Sequence, residues 1–195
     1  MTAKPLDATV ASSVVGAPSF SRANRMIRAL WYVVWLLLAS WTPPPLHAWR
    51  RLLLQLFGAR IASTARIYRS VNIWLPSNLV MGEHAVMGPG VTCYCQGPIT
   101  IGDFAVISQG AHLCAGTHDV DDPHFQLIAK PIRIEPHAWI AAEAFVGPGV
   151  TAGEGAVLGA RAVAFRDLEA WTIYVGNPAK PLRKRKQFTA PAAGH

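Results

Sequence analysis

The feature that most constrains this chain is an apolar residue that returns at every sixth position over much of its length. Fifteen such positions form five triplets, and twelve of the fifteen are Ile, Leu, Val or Met. A period of six fits neither an α-helix nor an alternating strand, but it is typical of a solenoid whose coils have flat sides. The positions are Ile61, Ile67, Ile73; Met81, Met87, Cys93; Ile101, Ile107, Leu113; Ile134, Ile140, Val146; and Ala152, Leu158, Ala164.

A second column, four positions after the first, consists almost entirely of small or β-branched residues. A bulky side chain there would collide with its neighbours in so narrow a core. The column comprises Ala65, Val71, Ser77, Ala85, Val91, Gly97, Ala105, Ala111, Thr117, Ala138, Ala144, Val150, Ala156, Ala162 and Leu168. Successive triplets are separated by eight, eight, twenty-one and six residues, so every insertion leaves from the same corner. We therefore predict a mainly β protein, a parallel β-helix of about five coils, rather than a sandwich with period-two strands.

The chain divides into four predicted regions. We expect a disordered tail over residues 1–23, a helical segment over 24–58, the β-helix domain over 59–176 and a basic tail over 177–195. The helical segment holds an apolar run over 29–41, three prolines, and a second helix over 46–57 that ends at Gly58. The run is too short to span a bilayer upright, and it lacks a convincing signal-peptidase site. The helices either cap the solenoid, which we favour, or lie on a membrane surface.

Charge and cysteine content limit the partners and the compartment. The net charge is +7, with a basic cluster near the end of the chain formed by Lys180, Arg183, Lys184, Arg185 and Lys186. Such a cluster is either a solvated tail or a site of attraction for phosphates or an anionic membrane. No nucleic-acid module is recognisable, so no nucleic-acid partner is expected. Three cysteines without metal-ligand spacing suit a reducing cytoplasm, and we predict a cytoplasmic protein, with peripheral attachment to the inner membrane face as an open alternative.

The longest break in the repeat, "CAGTHDVDDPHFQLIAKP", is where chemistry is expected. His118 lies at the corner where this loop departs, followed by Asp119, Asp121 and Asp122. A histidine beside carboxylates suits general-base work, although a surface histidine in a polar loop is an equal alternative. Zinc is disfavoured, because His118 stands six residues from both His112 and His124, and successive hexads lie on different sides. No metal is therefore expected.

Four stretches of the chain resemble a known family. They are "NRMIRALWYVVWLLLASW", "PITIGDFAVISQGAHLCAGTHD", "PIRIEPHAWIAAEAFVGPGV" and "VGNPAKPLRK". Their order and content resemble the hexapeptide-repeat acetyltransferases of the colanic-acid-biosynthesis type, which are related to the maltose and galactoside O-acetyltransferases. The resemblance implies a left-handed β-helix, a homotrimer, and transfer of acetyl from acetyl-CoA to a sugar hydroxyl in exopolysaccharide or surface-glycan biosynthesis.

The resemblance also implies roles for individual residues. His118 corresponds to the catalytic base, with Asp119 or Glu143 as candidates to orient its ring. Trp139 lines the acceptor side of the site, and Gln96 is a stand-in for an Asn that the family often has before the "ITIG" hexad. The residues implied in acetyl-CoA binding are Ala142, Gly159, Ala160, Arg166, Lys180 and Arg183. The family's usual "TKD" reads Phe165, Arg166, Asp167 here, which is a departure from its pattern.

The sequence is also compatible with two other functions and with several acceptors. A zinc protein of the γ-type carbonic anhydrase kind shares the prism fold, and so does a non-catalytic β-helix scaffold. A sugar ring could stack on Trp74, Tyr94 or Phe125, but each of these could equally pack in a trimer. The acceptor could be a nucleotide sugar, a lipid-linked glycan or a finished oligomer.

Overall fold

The computed structural model describes residues 8–11 and 19–188, and its main body is a parallel solenoid with three flat faces. The first face contains β1 (Arg60–Ile61), β4 (Leu79–Met81), β7 (Ile99–Ile101), β12 (Ile132–Ile134) and β15 (Thr151–Ala152). The second face contains β2 (Arg66–Ile67), β5 (Val86–Met87), β8 (Val106–Ile107), β13 (Trp139–Ile140), β16 (Val157–Leu158), β18 (Thr172–Val175) and β19 (Lys180–Lys184). The third face contains β3 (Asn72–Ile73), β6 (Thr92–Tyr94), β9 (His112–Cys114), β14 (Phe145–Val146) and β17 (Val163–Ala164).

The predicted apolar columns form the core. Every inward position of the repeat is buried, and Ile107 pairs in register with Met87 below it and Ile140 above it. The second column is buried too, with two exceptions at the corner between the third and first faces. Ser77 is half-buried in a short 3-10 helix, Pro76–Asn78, and Thr117 is exposed. Thr117 departs from the column because it belongs to the hairpin of β10 (Gly116–His118) and β11 (Leu127–Ala129), which leaves the solenoid there.

The solenoid has about six turns rather than the five that were expected. Leu168 forms a parallel bridge with Ala152 on the first face, and β18 pairs in parallel with β16 on the second. Leu168 therefore begins a sixth, incomplete turn instead of closing the second column. The spacing could not reveal this turn, because Leu168 follows Ala164 by four residues rather than six.

Part of the predicted basic tail is folded. After β18 the chain reverses at Gly176, whose φ of +91° favours glycine, and β19 returns antiparallel to β18. Lys184 links β19 to the preceding segment, because its Nζ lies 2.9 Å from both Glu169 Oε2 and Thr172 Oγ1. Residues 189–195 of the predicted tail lie outside the described residues.

The N-terminal region contains α1 (Ala8–Ala11), α2 (Arg22–Leu38) and α3 (His47–Leu56). The second helix begins earlier than its apolar run because Ser21 caps it, its Oγ accepting the backbone N–H of Asn24 at 3.2 Å. Of the tail predicted as disordered over residues 1–23, residues 1–7 and 12–18 lie outside the described part of the chain.

The third helix covers the open end of the first coil. It packs against β1 and β2 and buries Leu53 and Leu54. Arg50 is fully buried and donates to the carbonyls of Ile67, Pro43 and Pro44 at 2.5–3.1 Å. Since these acceptors belong to the proline turn and the first coil, one guanidinium joins both to α3.

The second helix buries only a narrow stripe, which includes Trp31, Trp35 and, just beyond its end, Ala39. Most of its other apolar side chains are exposed. Within residues 8–11 and 19–188, no helix combines the length and apolarity that crossing a bilayer requires.

Candidate active site

The imidazole of His118 is held on the inserted hairpin by contacts with one residue, Phe125. The backbone of His118 is in register with Leu127 across the hairpin. Its Nδ1 lies 2.8 Å from the Phe125 carbonyl oxygen, and its ring stacks on the Phe125 ring at 4.3 Å with planes 8° apart. Because a carbonyl only accepts, Nδ1 carries the hydrogen and Nε2 of the neutral ring is the unprotonated nitrogen. This tautomer leaves Nε2 able to accept a proton.

The two carboxylates considered for orienting this ring have other contacts. Asp119 Oδ1 accepts the backbone N–H of Asp121 at 3.1 Å. Glu143 pairs with Arg161 at 2.5 Å, and the hydrogen bond from Arg161 lowers the pKa of Glu143. The Phe125 carbonyl takes the orienting position that was considered for Asp119 or Glu143. A backbone carbonyl leaves no residue signature, so the sequence could not have indicated it.

Gln96 and His118 line the same cleft. This His118 cleft has a volume of about 260 Å³, and its lining includes Arg25, Arg28, Trp74, Tyr94, Gln96 and His118. The side chain of Gln96 is buried, and its Nε2 donates to the Tyr94 hydroxyl at 2.9 Å. A Cβ at Gly116 would lie 1.7 Å from Gln96 Oε1, so the absence of a side chain at position 116 makes room for Gln96.

Trp139 lies on the second face, outside the His118 cleft. Its Nε1 donates to Ser108 Oγ at 2.8 Å. It lines a different cleft of about 560 Å³, together with Phe104, His137 and Arg185. Within one chain, the two residues with the strongest predicted roles, His118 and Trp139, therefore do not meet.

The small residues predicted to contact acetyl-CoA lie on the corner between the second and third faces. Ala142 and Ala160 occupy this corner in adjacent coils, which are joined by the Arg161 N–H donating to the Ala142 carbonyl at 2.9 Å. Ala160 is exposed and Ala142 is half-buried, so the corner carries no bulky side chain at either position. Gly159 has a packing role, because a Cβ there would approach the Tyr174 carbonyl oxygen to 3.1 Å.

The predicted basic residues are only partly together. Arg166 and Lys180 line a third cleft, of about 340 Å³, at the C-terminal end of the solenoid. Asp167 also lines this cleft, but its Oδ1 accepts the backbone N–H of Thr151 at 2.7 Å. Arg183 lies on β19, where its Nη1 donates to the neighbouring Lys184 carbonyl at 3.1 Å.

Three other histidines of the solenoid pack against aromatic rings. Phe104 is stacked between His84, at 4.8 Å, and His137, at 5.1 Å. His112 contacts the edges of Tyr94 and Phe145. Across the described ranges, 8–11 and 19–188, no group of three or more His, Cys, Asp or Glu side chains could hold a metal ion.

Comparison with known proteins identifies the family. No family model matches the chain. The protein named colanic acid biosynthesis acetyltransferase WcaF, from Escherichia coli (strain K12), is 43% identical over 166 residues, which cover 85% of this chain and 91% of that protein. The hexapeptide-repeat acetyltransferase VCA0836 of Vibrio cholerae O1 biovar eltor, complexed with acetyl coenzyme A, is 25% identical with a TM-score of 0.74 over 86% of this chain and 91% of that one.

A maltose O-acetyltransferase from Clostridium difficile 630 has a TM-score of 0.75 at 20% identity and covers 86% of this chain and 90% of that one. At that identity the likeness shows a shared fold. The relationship to WcaF spans most of both proteins and confirms the resemblance seen in the sequence. The chain therefore belongs to the hexapeptide-repeat acetyltransferases of the colanic-acid-biosynthesis type.

Proposed function

We propose that this acetyltransferase moves an acetyl group from acetyl-CoA directly to a sugar hydroxyl in the biosynthesis of an exopolysaccharide or surface glycan. The observation that carries the proposal is the hydrogen bond between His118 Nδ1 and the Phe125 carbonyl, which presents Nε2 as a base at the edge of a cleft. The names of the relatives, which include a colanic acid biosynthesis enzyme and a maltose O-acetyltransferase, support a sugar hydroxyl as the acceptor.

In this mechanism, His118 acts first as a base and then as an acid. When bound, acetyl-CoA supplies the thioester carbonyl that is attacked. Nε2 of His118 takes the proton of the acceptor hydroxyl while the hydroxyl oxygen bonds to the acetyl carbon. It then gives this proton to the departing sulfur as the carbon–sulfur bond breaks. The Phe125 carbonyl, bonded to Nδ1–H, stabilises the ring in its charged form between these steps.

Acetyl-CoA would lie along the corner that contains Ala142, Gly159 and Ala160. The small side chains there let a long, thin molecule approach the backbone. Arg166 and Lys180, which share a cleft, would face its phosphates, and Arg183 lies on the same strand as Lys180. Lysine and arginine side chains form charge-assisted hydrogen bonds with phosphate oxygens.

We further propose that the enzyme is a homotrimer of left-handed β-helices in which neighbouring subunits share each site. The supporting observation is that His118 and Trp139 line different clefts of one chain. A cyclic assembly brings one surface of each subunit against a different surface of the next, which would bring the two residues together. The proposed location is cytoplasmic, with α2 and α3 at the inner membrane face.

The role of His118 can be tested by measuring thiol release from acetyl-CoA in the presence of a sugar acceptor. His118→Ala should lower kcat by about 10²–10⁴, the usual contribution of a positioned general base. The matched control is His124→Ala, which removes an exposed histidine from the same loop and should leave turnover unchanged. If His118→Ala kept wild-type turnover, His118 could not be the general base.

A further inference from the structure

Two arginines of α2 reach the cleft that contains His118, although they precede it by about ninety residues in the chain. The helix is fixed against the third face by Trp31, whose Nε1 donates to the Ile73 carbonyl at 2.8 Å. Arg28 lies one turn before Trp31, and its guanidinium carbon is 4.3 Å from the centre of the Trp74 ring. Arg25, one turn earlier, lines the same cleft. The docking of one helix therefore sets both positive charges beside the proposed base.

These charges have no acidic partner in the part of the chain that the structure describes. No Asp or Glu occurs between residues 19 and 82, and none lines the His118 cleft. The Nε of Arg28 donates to the amide oxygen of Asn24 at 3.0 Å, which is a neutral contact. Burial lowers the pKa of Arg28, and the positive charge of Arg25 adds to this effect against the opposing effect of Tyr94. Two like charges are thus held together where an anion would stabilise both.

The rest of the cleft suits a sugar ring. Trp74 and Tyr94 form one wall, with ring centres 6.1 Å apart and planes at 70°. Gln96 is anchored to the Tyr94 hydroxyl, and His118 stands in the same cleft. Aromatic surface beside a few convergent polar groups is typical of small-molecule sites. Aromatic rings pack favourably against the apolar C–H groups of a saccharide, while the arginines match a negative charge.

We propose that the His118 cleft binds an acceptor saccharide that carries an anionic group, a phosphate or a carboxylate, and that Arg25 and Arg28 hold this group. The inference rests on the proposed function, which it extends from a sugar to an anionic sugar. Charge-assisted hydrogen bonds from guanidinium to phosphate or carboxylate are roughly twice as strong as neutral ones, so the anionic group would be a main determinant of acceptor choice.

The test compares acetyl transfer to a neutral hexose, the same hexose as its 1-phosphate, and the corresponding hexuronic acid. The wild-type enzyme should prefer at least one anionic acceptor over the neutral hexose by about tenfold or more in kcat/KM. The two anionic arms distinguish phosphate from carboxylate. In Arg25→Gln/Arg28→Gln the ratio of anionic to neutral kcat/KM should fall toward one, whereas Arg22→Gln, which changes an arginine of α2 outside the cleft, should keep the wild-type ratio.

A binding measurement separates this inference from the proposed chemistry. His118→Ala, titrated calorimetrically with the hexose 1-phosphate and the hexuronic acid, should bind an anionic sugar, and adding Arg25→Gln/Arg28→Gln should abolish that binding. If an anionic sugar binds but the wild-type enzyme transfers no acetyl group, the proposed function is refuted while the anion-binding subsite is retained. Equal kcat/KM for neutral and anionic acceptors, a preference that survives the double substitution, or no binding of either anionic sugar would overturn the inference.

Discussion

Two histidines outside the proposed site sit in surroundings that penalise their charged form. His112 is partly buried between Tyr94 and Phe145, and its Nε2 is buried without a partner in the described part of the chain. Burial lowers the pKa of His112. Burial also lowers the pKa of His47, against the opposing effect of its hydrogen bond to the Ile67 carbonyl. Both rings are therefore held neutral more strongly in the fold than in the unfolded chain.

Folding stability should accordingly fall as the pH is lowered through the histidine range. Above the unfolded-state pKa of about 6.5, both states hold the rings neutral and the free energy of unfolding is unaffected. Below it, the unfolded chain binds protons that the fold disfavours, so stability decreases with decreasing pH. The midpoint of urea unfolding should be lower at pH 5.5 than at pH 7.5. His112→Phe should reduce that difference, and a difference equal to that of the wild-type protein would contradict the role of His112.

At the residue scale, the sequence pointed to the proposed base, His118, but not to its surroundings. His118 became a candidate because it stands where the repeat breaks, and the family resemblance assigned it the role of base. The Phe125 carbonyl that fixes its tautomer is a backbone group with no signature. Arg25 and Arg28 could not be linked to His118, because their proximity depends on how α2 docks on the third face. The contacts of that docking include the burial of Trp31 and Trp35 and the indole hydrogen bond from Trp31 to the Ile73 carbonyl.

Among the elements, α2 exposes most of its apolar side chains. Its exposed apolar side chains include Met26, Leu30, Val33 and Leu37, whose exposed fractions run from 47% to 72%. An apolar patch on this scale usually marks an interface. The same part of the chain, residues 19–82, holds eight arginines and no acidic residue. This charge favours an anionic bilayer over a second copy of the same positive surface.

Binding to vesicles tests this surface. The wild-type protein should float with vesicles containing phosphatidylglycerol and bind purely zwitterionic vesicles more weakly. Leu30→Glu/Leu37→Glu should reduce the bound fraction at least about tenfold, because both apolar contacts are lost and negative charge is added. Val120→Glu, at an exposed apolar position of the inserted loop, is the matched control. Failure of the wild-type protein to float with either vesicle would contradict the proposal.

The elements also differ in how far the sequence could predict them. The coils from Ile61 to Ala164 followed from the period, since each inward column must be apolar for the stack to form. The sixth turn and β19 lie beyond the last hexad, and β19 depends on a chain reversal at Gly176. A single chain reversal leaves no repeating pattern in the sequence, so the sequence predicts a basic tail where the structure has β19.

For the whole molecule, the separation of His118 and Trp139 predicts complementation between inactive subunits. His118→Ala and Trp139→Ala should each have low activity alone, and each should sediment as a trimer. Co-expressed in equal amounts, they should regain activity, because about a quarter of randomly mixed interfaces would combine both intact residues. Subunits mixed as separately folded trimers serve as the control without exchange. A monomeric wild-type protein, or no recovery on co-expression, would exclude a shared site.

The inserted hairpin has a consequence for how such enzymes can diverge. Although residues 116–131 leave the solenoid, β7 still pairs with β12 and β9 with β14, so the coils on either side of the insertion stack without a change of register. The inserted segment can thus lengthen, shorten or be exchanged while the strands of neighbouring coils keep their pairing. Changes in this segment can therefore alter which acceptor the enzyme acetylates without altering the pairings that stabilise the fold.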